Sequence, residues 1–283
     1  MIKVRNLQFK TMFMFIAWIL LFVGCVPERK LAGEYLSQRR NITLVIKAPE
    51  LMKMVNMTAD TLQDSTNLSQ REKDSIKFYH SKILQNITDS VIIGKYVRSL
   101  KSGFERQGYK TMIASGNDPV FDVNGDAVLI NIGQIELDEQ KYPVRDETNY
   151  NKKLYAADYD LTKIEMSFWI EVSKIEKGVA VKPPRLLYDT DEELDKFQGH
   201  FELDAQENKV LYRSNIEEIT PEYVDSLATS IGSDHAFRLN DFMMNEFISN
   251  SLPEKKYRAL FGINQQYGNL VRIYDPPFKE IPE

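Results

Sequence analysis

The chain has 283 residues, 36 of them basic and 41 acidic, which gives a net charge of −5 at pH 7. This acidic balance disfavours nucleic acid as a partner, and a hydrophobic content of 43% argues against a disordered chain. The single cysteine allows no internal disulfide. If that thiol has another role, the chain cannot be a cysteine hydrolase.

The first residues have the layout of a secretory signal peptide. Three basic residues precede an almost wholly apolar run at 11–23, and a small residue, Gly24, stands before Cys25. The basic residues are Lys3, Arg5 and Lys10. An uncut membrane helix is the alternative, because the uncharged run of 17 residues at 11–27 lies at the lower edge of the roughly 17–25 residues that span a bilayer.

The cysteine indicates which kind of signal this is. Phe22-Val23-Gly24-Cys25 resembles the lipobox of bacterial lipoproteins, in which Leu usually stands where this chain has Phe22. The resemblance covers residues 1–25 and implies cleavage before Cys25 and a lipid on its sulfur. Several acyl chains hold a protein firmly on a membrane, because each buried CH₂ contributes about 0.8 kcal/mol. We therefore expect a lipid-anchored protein of the bacterial cell envelope, on the outer membrane.

Cleavage at that point divides the chain into three parts. Removal of the signal peptide, residues 1–24, takes away three basic residues and no acidic ones, so 259 residues with a net charge of −8 remain. Residues 25–40 are polar and contain Gly33, which predicts a lipidated tether. Residues 41–283 are long enough for one periplasmic or surface domain with a large core.

The order of predicted elements indicates the fold class. A strand at 42–46 and a short helix at 49–57 are followed by helical periodicity over 69–107, with a break at 88–90. Strands are predicted at 109–114, 127–137, 161–175, 186–188, 199–203 and 210–213. Helices are predicted to start at Thr220-Pro221 and at Gly232-Ser233-Asp234, and a last helical segment is predicted at 254–261. This order predicts an α+β fold, a mostly antiparallel sheet with helices packed on one face.

One segment stands out as a candidate binding surface. Residues 141–160 join the two longest predicted strands, and we expect them to form a polar connecting loop. Long connections in compact domains are often functional, and tyrosine gives contact area at low entropic cost. The candidate binding residues are Trp169, Tyr142, Tyr150, Tyr155 and Tyr159. The alternative is that these tyrosines only cover the rim of the sheet.

No set of residues carries a catalytic or metal signature in the sequence. The histidines, His80, His200 and His235, have no partner at ligand spacing. Ser233-Asp234-His235 contains the residue types of a serine triad, but it is better explained as a helix cap. The acidic cluster at 189–195 could hold a hard cation, and a solvated loop explains it better. We expect no catalytic residue, no metal and no cofactor.

Three functions remain open at this point. The first is a non-enzymatic lipoprotein that binds an envelope protein and helps to assemble or maintain a membrane complex. The second is a surface lipoprotein that binds a ligand or glycan, with Trp169 and the tyrosines as a stacking surface. The third is a hydrolase that uses carboxylates, for which two acids should lie about 5–10 Å apart in a cleft.

Overall fold

The computed structural model describes residues 27–58, 81–114, 123, 125–254 and 258–282. Within these ranges the chain has an α+β fold, with one eight-stranded sheet, two small antiparallel sheets and three α-helices. Residues 1–24, where a signal peptide is predicted, lie outside the described residues, as do Cys25 and His80. In the part of the chain that is described, no helix is both long enough and apolar enough to cross a membrane.

The described residues form three α-helices and twelve strands. The helices are α1 (Pro27–Gln38), α2 (Asp89–Arg106) and α3 (Pro221–Ser251), with short 3-10 helices at Arg39–Asn41 and Leu84–Asn86. The strands are β1 (Thr43–Lys47), β2 (Lys53–Asn56), β3 (Lys110–Ile113), β4 (Ala127–Tyr150), β5 (Lys153–Glu176), β6 (Val179–Ala180), β7 (Arg185–Leu194), β8 (Lys196–Asp204), β9 (Lys209–Glu217), β10 (Leu260–Ile263), β11 (Leu270–Ile273) and β12 (Lys279–Glu280).

The large sheet is mostly antiparallel, as predicted. Its strand order is β12-β7-β5-β4-β1-β3, with β2 paired to β4 and β6 paired to β5. The long pair β4–β5 and the pairs that β5 and β7 make are antiparallel, whereas β1 runs parallel to β3 and β4, and β2 runs parallel to β4. The pairs β8–β9 and β10–β11 form the small sheets.

Helices cover one face of this sheet. Alternate residues of β5 point to this face and are fully or almost fully buried, and they include Ile164, Met166, Phe168 and Ile170. Tyr96 of α2 stacks on Phe168 with ring centroids 4.8 Å apart. Burying each such side chain contributes about 1.5–3 kcal/mol, so this layer is a main source of stability.

Two glycines allow α2 and α3 to pack closely. A methyl group on Gly103 of α2 would lie 2.5 Å from the Cβ of Ala236 in α3, and one on Gly232 of α3 would overlap the backbone oxygen of Tyr96. Residues 221–251 form one continuous helix. The second helix start predicted at Gly232-Ser233-Asp234 is therefore wrong, because Gly232 serves close helix packing and Ser233 caps nothing.

Several predicted boundaries are confirmed. Helix α2 begins at Asp89 directly after its N-cap, Thr88, at the predicted break, whereas the helix expected before the break is absent from 81–88, which contain only the 3-10 helix Leu84–Asn86. Gly108 has a φ of +95°, the left-handed conformation expected just past a helix end. At the start of α3, Thr220 accepts a hydrogen bond from the backbone N–H of Tyr223 at 3.3 Å.

Two predicted helices are strands instead. The helix expected at 49–57 is replaced by β2, whose residues pair with 136–139 of β4. The end of the helix expected at 254–261 belongs to β10, which pairs with β11. Both segments are short, and in each case pairing with a distant strand outweighs the local helical spacing.

The contacts divide the chain into two compact units. One contains the described residues 27–39 with Asn240–Pro276, and the other contains Arg40–Leu239 with Pro277–Glu283. Helix α3 contributes residues to both. The tether expected at 25–40 is not irregular where the structure describes it, because residues 27–38 form α1, which buries Ala32 and Tyr35.

Candidate functional site

Strands β4 and β5 run far beyond the rest of the large sheet. Strand β2 pairs with β4 only at 136–139, and β7 pairs with β5 only at 163–172. From Lys141 to Thr162 the two strands pair only with each other among the described strands, and they meet at Asn151 and Lys152, whose φ angles are 51° and 62°. Two such residues form the tight turn that suits a twisted hairpin.

The polar connecting loop predicted at 141–160 is therefore wrong. These residues are paired strand, with a regular register from Lys141–Thr162 to Tyr150–Lys153. The pattern of burial alternates along this hairpin, because residues 155, 157 and 159 are half-buried while 154, 156, 158 and 160 are exposed. The half-buried positions are Tyr155, Ala157 and Tyr159, and the exposed positions include Leu154 and Ala156, so exposed and half-buried positions alternate but polar and apolar residues do not.

All five predicted binding residues project from the same face of this hairpin. In β5, Trp169, Tyr159 and Tyr155 are separated by even numbers of residues and therefore share a face. In β4, Tyr142 lies opposite Leu161 and Tyr150 lies opposite Lys153, which places both on that face as well. The structure thus brings together residues that the sequence analysis chose by composition.

The hairpin β8–β9 packs on part of this face. The ring of Tyr159 lies 5.3 Å from Phe197 and 5.4 Å from Tyr212, measured between ring centroids. The Tyr212 hydroxyl donates to the carboxylate of Asp146, and burial together with this bond raises the pKa of Tyr212 to about 12. Gly199 leaves the space that the Tyr212 ring fills. Tyr159 is therefore internal packing between two hairpins.

We call residues 141–162 together with β8 and β9 the arm. Its exposed large apolar side chains are Tyr142 (46%), Tyr150 (37%) and Leu154 (52%) in the long hairpin and Leu203 (41%) and Ile216 (36%) in β8 and β9. The opposite face carries charged side chains, and Arg145 binds Glu147 at 2.6 Å and Asp158 at 3.1 Å there.

Asp195 fixes the base of the arm. Its carboxylate accepts hydrogen bonds from the backbone N–H of Thr162 at 2.7 Å and of Ile219 at 2.8 Å. Its own N–H donates to the carbonyl of Thr162 at 3.0 Å. One buried side chain therefore ties the end of the long hairpin to the end of β9. The solvated acidic loop that the sequence predicts at 189–195 is therefore wrong for Asp195.

Trp169 lies on the sheet below the arm, next to Tyr188 of β7. The two rings are 5.1 Å apart, and Trp169 is half-buried. The hydroxyl of Ser167 lies 3.1 Å from the Tyr188 hydroxyl and donates to Thr190 at 3.2 Å. Aromatic edges and hydroxyl groups thus lie side by side in this patch.

A row of acids crosses the same face of the sheet. Asp138, Glu165 and Glu192 lie opposite one another on β4, β5 and β7. Lys163 pairs with both glutamates, whereas the Oδ1 atom of Asp138 is buried without a partner among the described residues. Burial and the charges of Glu136 and Glu165 raise the pKa of Asp138 to about 6. Directly opposed side chains have Cβ atoms about 5 Å apart, so Glu165 is the cross-strand neighbour of both Asp138 and Glu192.

A second polar cluster lies between α3 and β7, where the sequence analysis expected only a helix cap and a solvated loop. His235 is fully buried, with Nδ1 2.8 Å from the Tyr96 hydroxyl and Nε2 2.9 Å from Asp189 Oδ2. Arg238 donates two N–H bonds to the Asp189 carboxylate and two more, at 2.8 and 2.5 Å, to the carbonyl of Pro277. The partners lie 46 and 49 residues apart in the chain, so no local spacing indicates them.

Within this cluster, His235 and Arg238 stabilise the negative charge of Asp189. Burial alone would raise the pKa of Asp189, but the hydrogen bonds from His235 and Arg238 lower it overall. Burial and the charge of Asp189 raise the pKa of Asp191. Ligand atoms of Asp189, Asp191 and His235 lie within 4.8 Å of one another, which is close enough to hold a metal ion. The Arg238 guanidinium already supplies a positive charge at Asp189, so the cluster also functions as an internal ion pair between α3 and the sheet.

Comparison with known proteins assigns the chain to no family. No protein-family model matches the chain, and no curated protein sequence matches it. The function is therefore inferred from the residues and geometry above.

Proposed function

We propose that the chain is a bacterial envelope lipoprotein, held on a membrane by lipid on Cys25, which binds another envelope protein through the arm. In this proposal it has no enzymatic activity and helps to assemble or maintain a membrane complex. The anchor part rests on the residues Phe22-Val23-Gly24-Cys25. The binding part rests on one observation, the arm that extends beyond the sheet.

The arm has two properties that suit a binding element. Its two long strands have outer edges at 141–150 and 153–160 that pair with no other described strand, so their backbone N–H and C=O groups are available for an added strand. Its base is fixed by Asp195, which reduces the conformational entropy lost when a partner binds.

The exposed apolar side chains supply anchor points next to these edges. Tyr150 and Leu154 flank the turn at the end of the hairpin. Large side chains that insert into a partner contribute 1 kcal/mol or more each, and about 1.4 kcal/mol corresponds to a tenfold change in affinity. Loss of both side chains is therefore expected to weaken binding by about tenfold or more.

Affinity capture from detergent-solubilised envelopes tests this proposal. The bait is the full mature protein, either wild type, or with Tyr150→Ser and Leu154→Ser, or with Tyr223→Ser as the control. Tyr223 is 39% exposed and lies on α3, outside the arm. We expect a protein that the wild type and the control capture equally and that the double variant captures at least fivefold less. No reproducible partner, or equal capture by all three baits, would argue against the proposal.

A ligand- or glycan-binding lipoprotein is the second candidate, and the Trp169–Tyr188 patch favours it. Aromatic edges beside the hydroxyl groups of Ser167 and Thr190 suit a sugar ring. Trp169 is the single tryptophan of the mature chain, so its fluorescence reports directly on this patch. Titration with cell-wall and capsular glycan fragments should change that fluorescence saturably, and an unchanged spectrum with every fragment would remove this candidate.

A further inference from the structure

The unit that follows Cys25 begins almost at the anchor. Helix α1 starts at Pro27, two residues after Cys25, and two residues span at most about 7 Å. The helix is an integral part of its unit, because Tyr35 is buried and its ring lies 5.7 Å from that of Phe247. A lipid on Cys25 would therefore hold this unit, rather than a flexible segment, next to the headgroups.

The same unit exposes two tyrosines on the hairpin β10–β11. Tyr274 is 84% and Tyr267 72% exposed, which places them among the most exposed apolar side chains of the described chain. Tyr267 lies in a hydrogen-bonded turn, in which the Asn264 side chain accepts its backbone N–H at 3.1 Å and the Asn264 carbonyl accepts that of Gly268 at 2.7 Å. Arg272 lies over the Tyr274 ring at 5.8 Å. Tyrosine is the side chain that membrane–water interfaces favour, because its ring is apolar and its hydroxyl is polar.

The charge of this unit also differs from that of the mature protein. Residues 27–39 and 240–276 contain seven basic and six acidic residues, a net charge of +1, whereas the mature chain carries −8. The acidic excess lies outside this unit. Negatively charged lipid therefore does not repel the unit that is closest to the anchor.

From these three observations we propose that this unit docks on the bilayer surface through Tyr267 and Tyr274, with lipid headgroups as the ligand. This inference rests on the lipidation of Cys25 proposed above. The anchor holds the unit within reach, the tyrosine rings enter the headgroup layer, and Arg272 lies close enough to bind lipid phosphate. Docking fixes the orientation of the unit on the membrane, which the acyl chains alone do not do.

Single-cysteine labelling of the lipidated protein tests the inference. Lipid occupies the sulfur of Cys25, so an introduced cysteine is the only free thiol. A fluorophore is placed by Tyr267→Cys, Tyr274→Cys or Asn250→Cys in protein reconstituted into vesicles of phosphatidylcholine and phosphatidylglycerol, with a nitroxide on the headgroup of one lipid. Asn250 is exposed and belongs to the same unit, so it controls for proximity to the anchor.

We expect the nitroxide to quench the labels at 267 and 274 at least twofold more than the label at 250. Labels placed by Tyr267→Cys in a chain that also carries Tyr274→Ser should lose much of that difference. Equal quenching at all three positions, with mass spectrometry confirming lipid on Cys25, would overturn the inference and leave the proposed function intact. An unmodified Cys25 would overturn both.

Discussion

Replacement of Asp138 by Asn should make the protein's stability less dependent on pH. The pKa of Asp138 in the fold is about 6, raised by burial first and then by Glu136 and Glu165, against about 3.9 in an unfolded chain. The folded state thus holds this proton more tightly than the unfolded state. The corresponding stability is fully present below about pH 4 and is lost as the pH rises through 6.

The expected magnitude follows from this difference in pKa. Two pKa units correspond to about 3 kcal/mol, and partial contact of the carboxyl group with solvent reduces the expected value to about 1–2 kcal/mol. Asparagine is neutral at every pH. The free energy of unfolding of Asp138→Asn should therefore rise relative to wild type by about 1–2 kcal/mol between pH 4 and pH 7.

Urea unfolding of the mature protein at pH 4, 5.5 and 7 measures this difference, with Trp169 fluorescence as the probe. Other titrating groups cancel when the variant is compared with wild type at the same pH. The control is Asp160→Asn, whose side chain is 61% exposed and whose effect should stay within about 0.5 kcal/mol. A stability difference for Asp138→Asn that stays constant or falls with rising pH would show that the folded state does not hold the Asp138 proton more tightly than the unfolded state.

Further predictions concern the helix pair and the base of the arm. Gly103→Ala should destabilise the protein by about 1–3 kcal/mol, since its methyl group overlaps α3. Gly94→Ala in the same helix should stabilise it by about 1 kcal/mol. Thermal unfolding measures both effects, and equal effects of the two variants would contradict the close packing of α2 on α3. Asp195→Ala should cost about 2–4 kcal/mol, since two backbone N–H groups lose a charged acceptor. Hydrogen exchange at Thr162 and Ile219 should then accelerate, and unchanged exchange would show that Asp195 does not hold the arm.

The sequence predicts those elements whose signals are local. Thr220-Pro221 marks the start of α3, Gly108 marks the end of α2, and apolar alternation in β5 identifies its buried half. The α+β class follows from the order of these elements. Each of these signals depends only on residues that are close together in the sequence, so it can be recognised without knowing the distant contacts.

The features that the sequence does not predict depend on distant partners. The strand character of residues 141–160 becomes evident only when β8 and β9 cover one face, so the isolated segment resembles a polar loop. The role of Gly232 depends on Tyr96, and the role of Asp189 on His235 and Arg238. None of these pairs has a spacing that a local pattern reveals.

Photocrosslinking in intact cells tests directly whether the arm binds an envelope protein. A photoreactive amino acid replaces Tyr150 at the tip of the hairpin in the arm, or Tyr223 on α3, in the otherwise complete protein. If the arm binds an envelope protein, position 150 should give one crosslinked protein of defined mass and position 223 none. The absence of any crosslink from position 150, or the same products from both positions, would contradict binding through the arm.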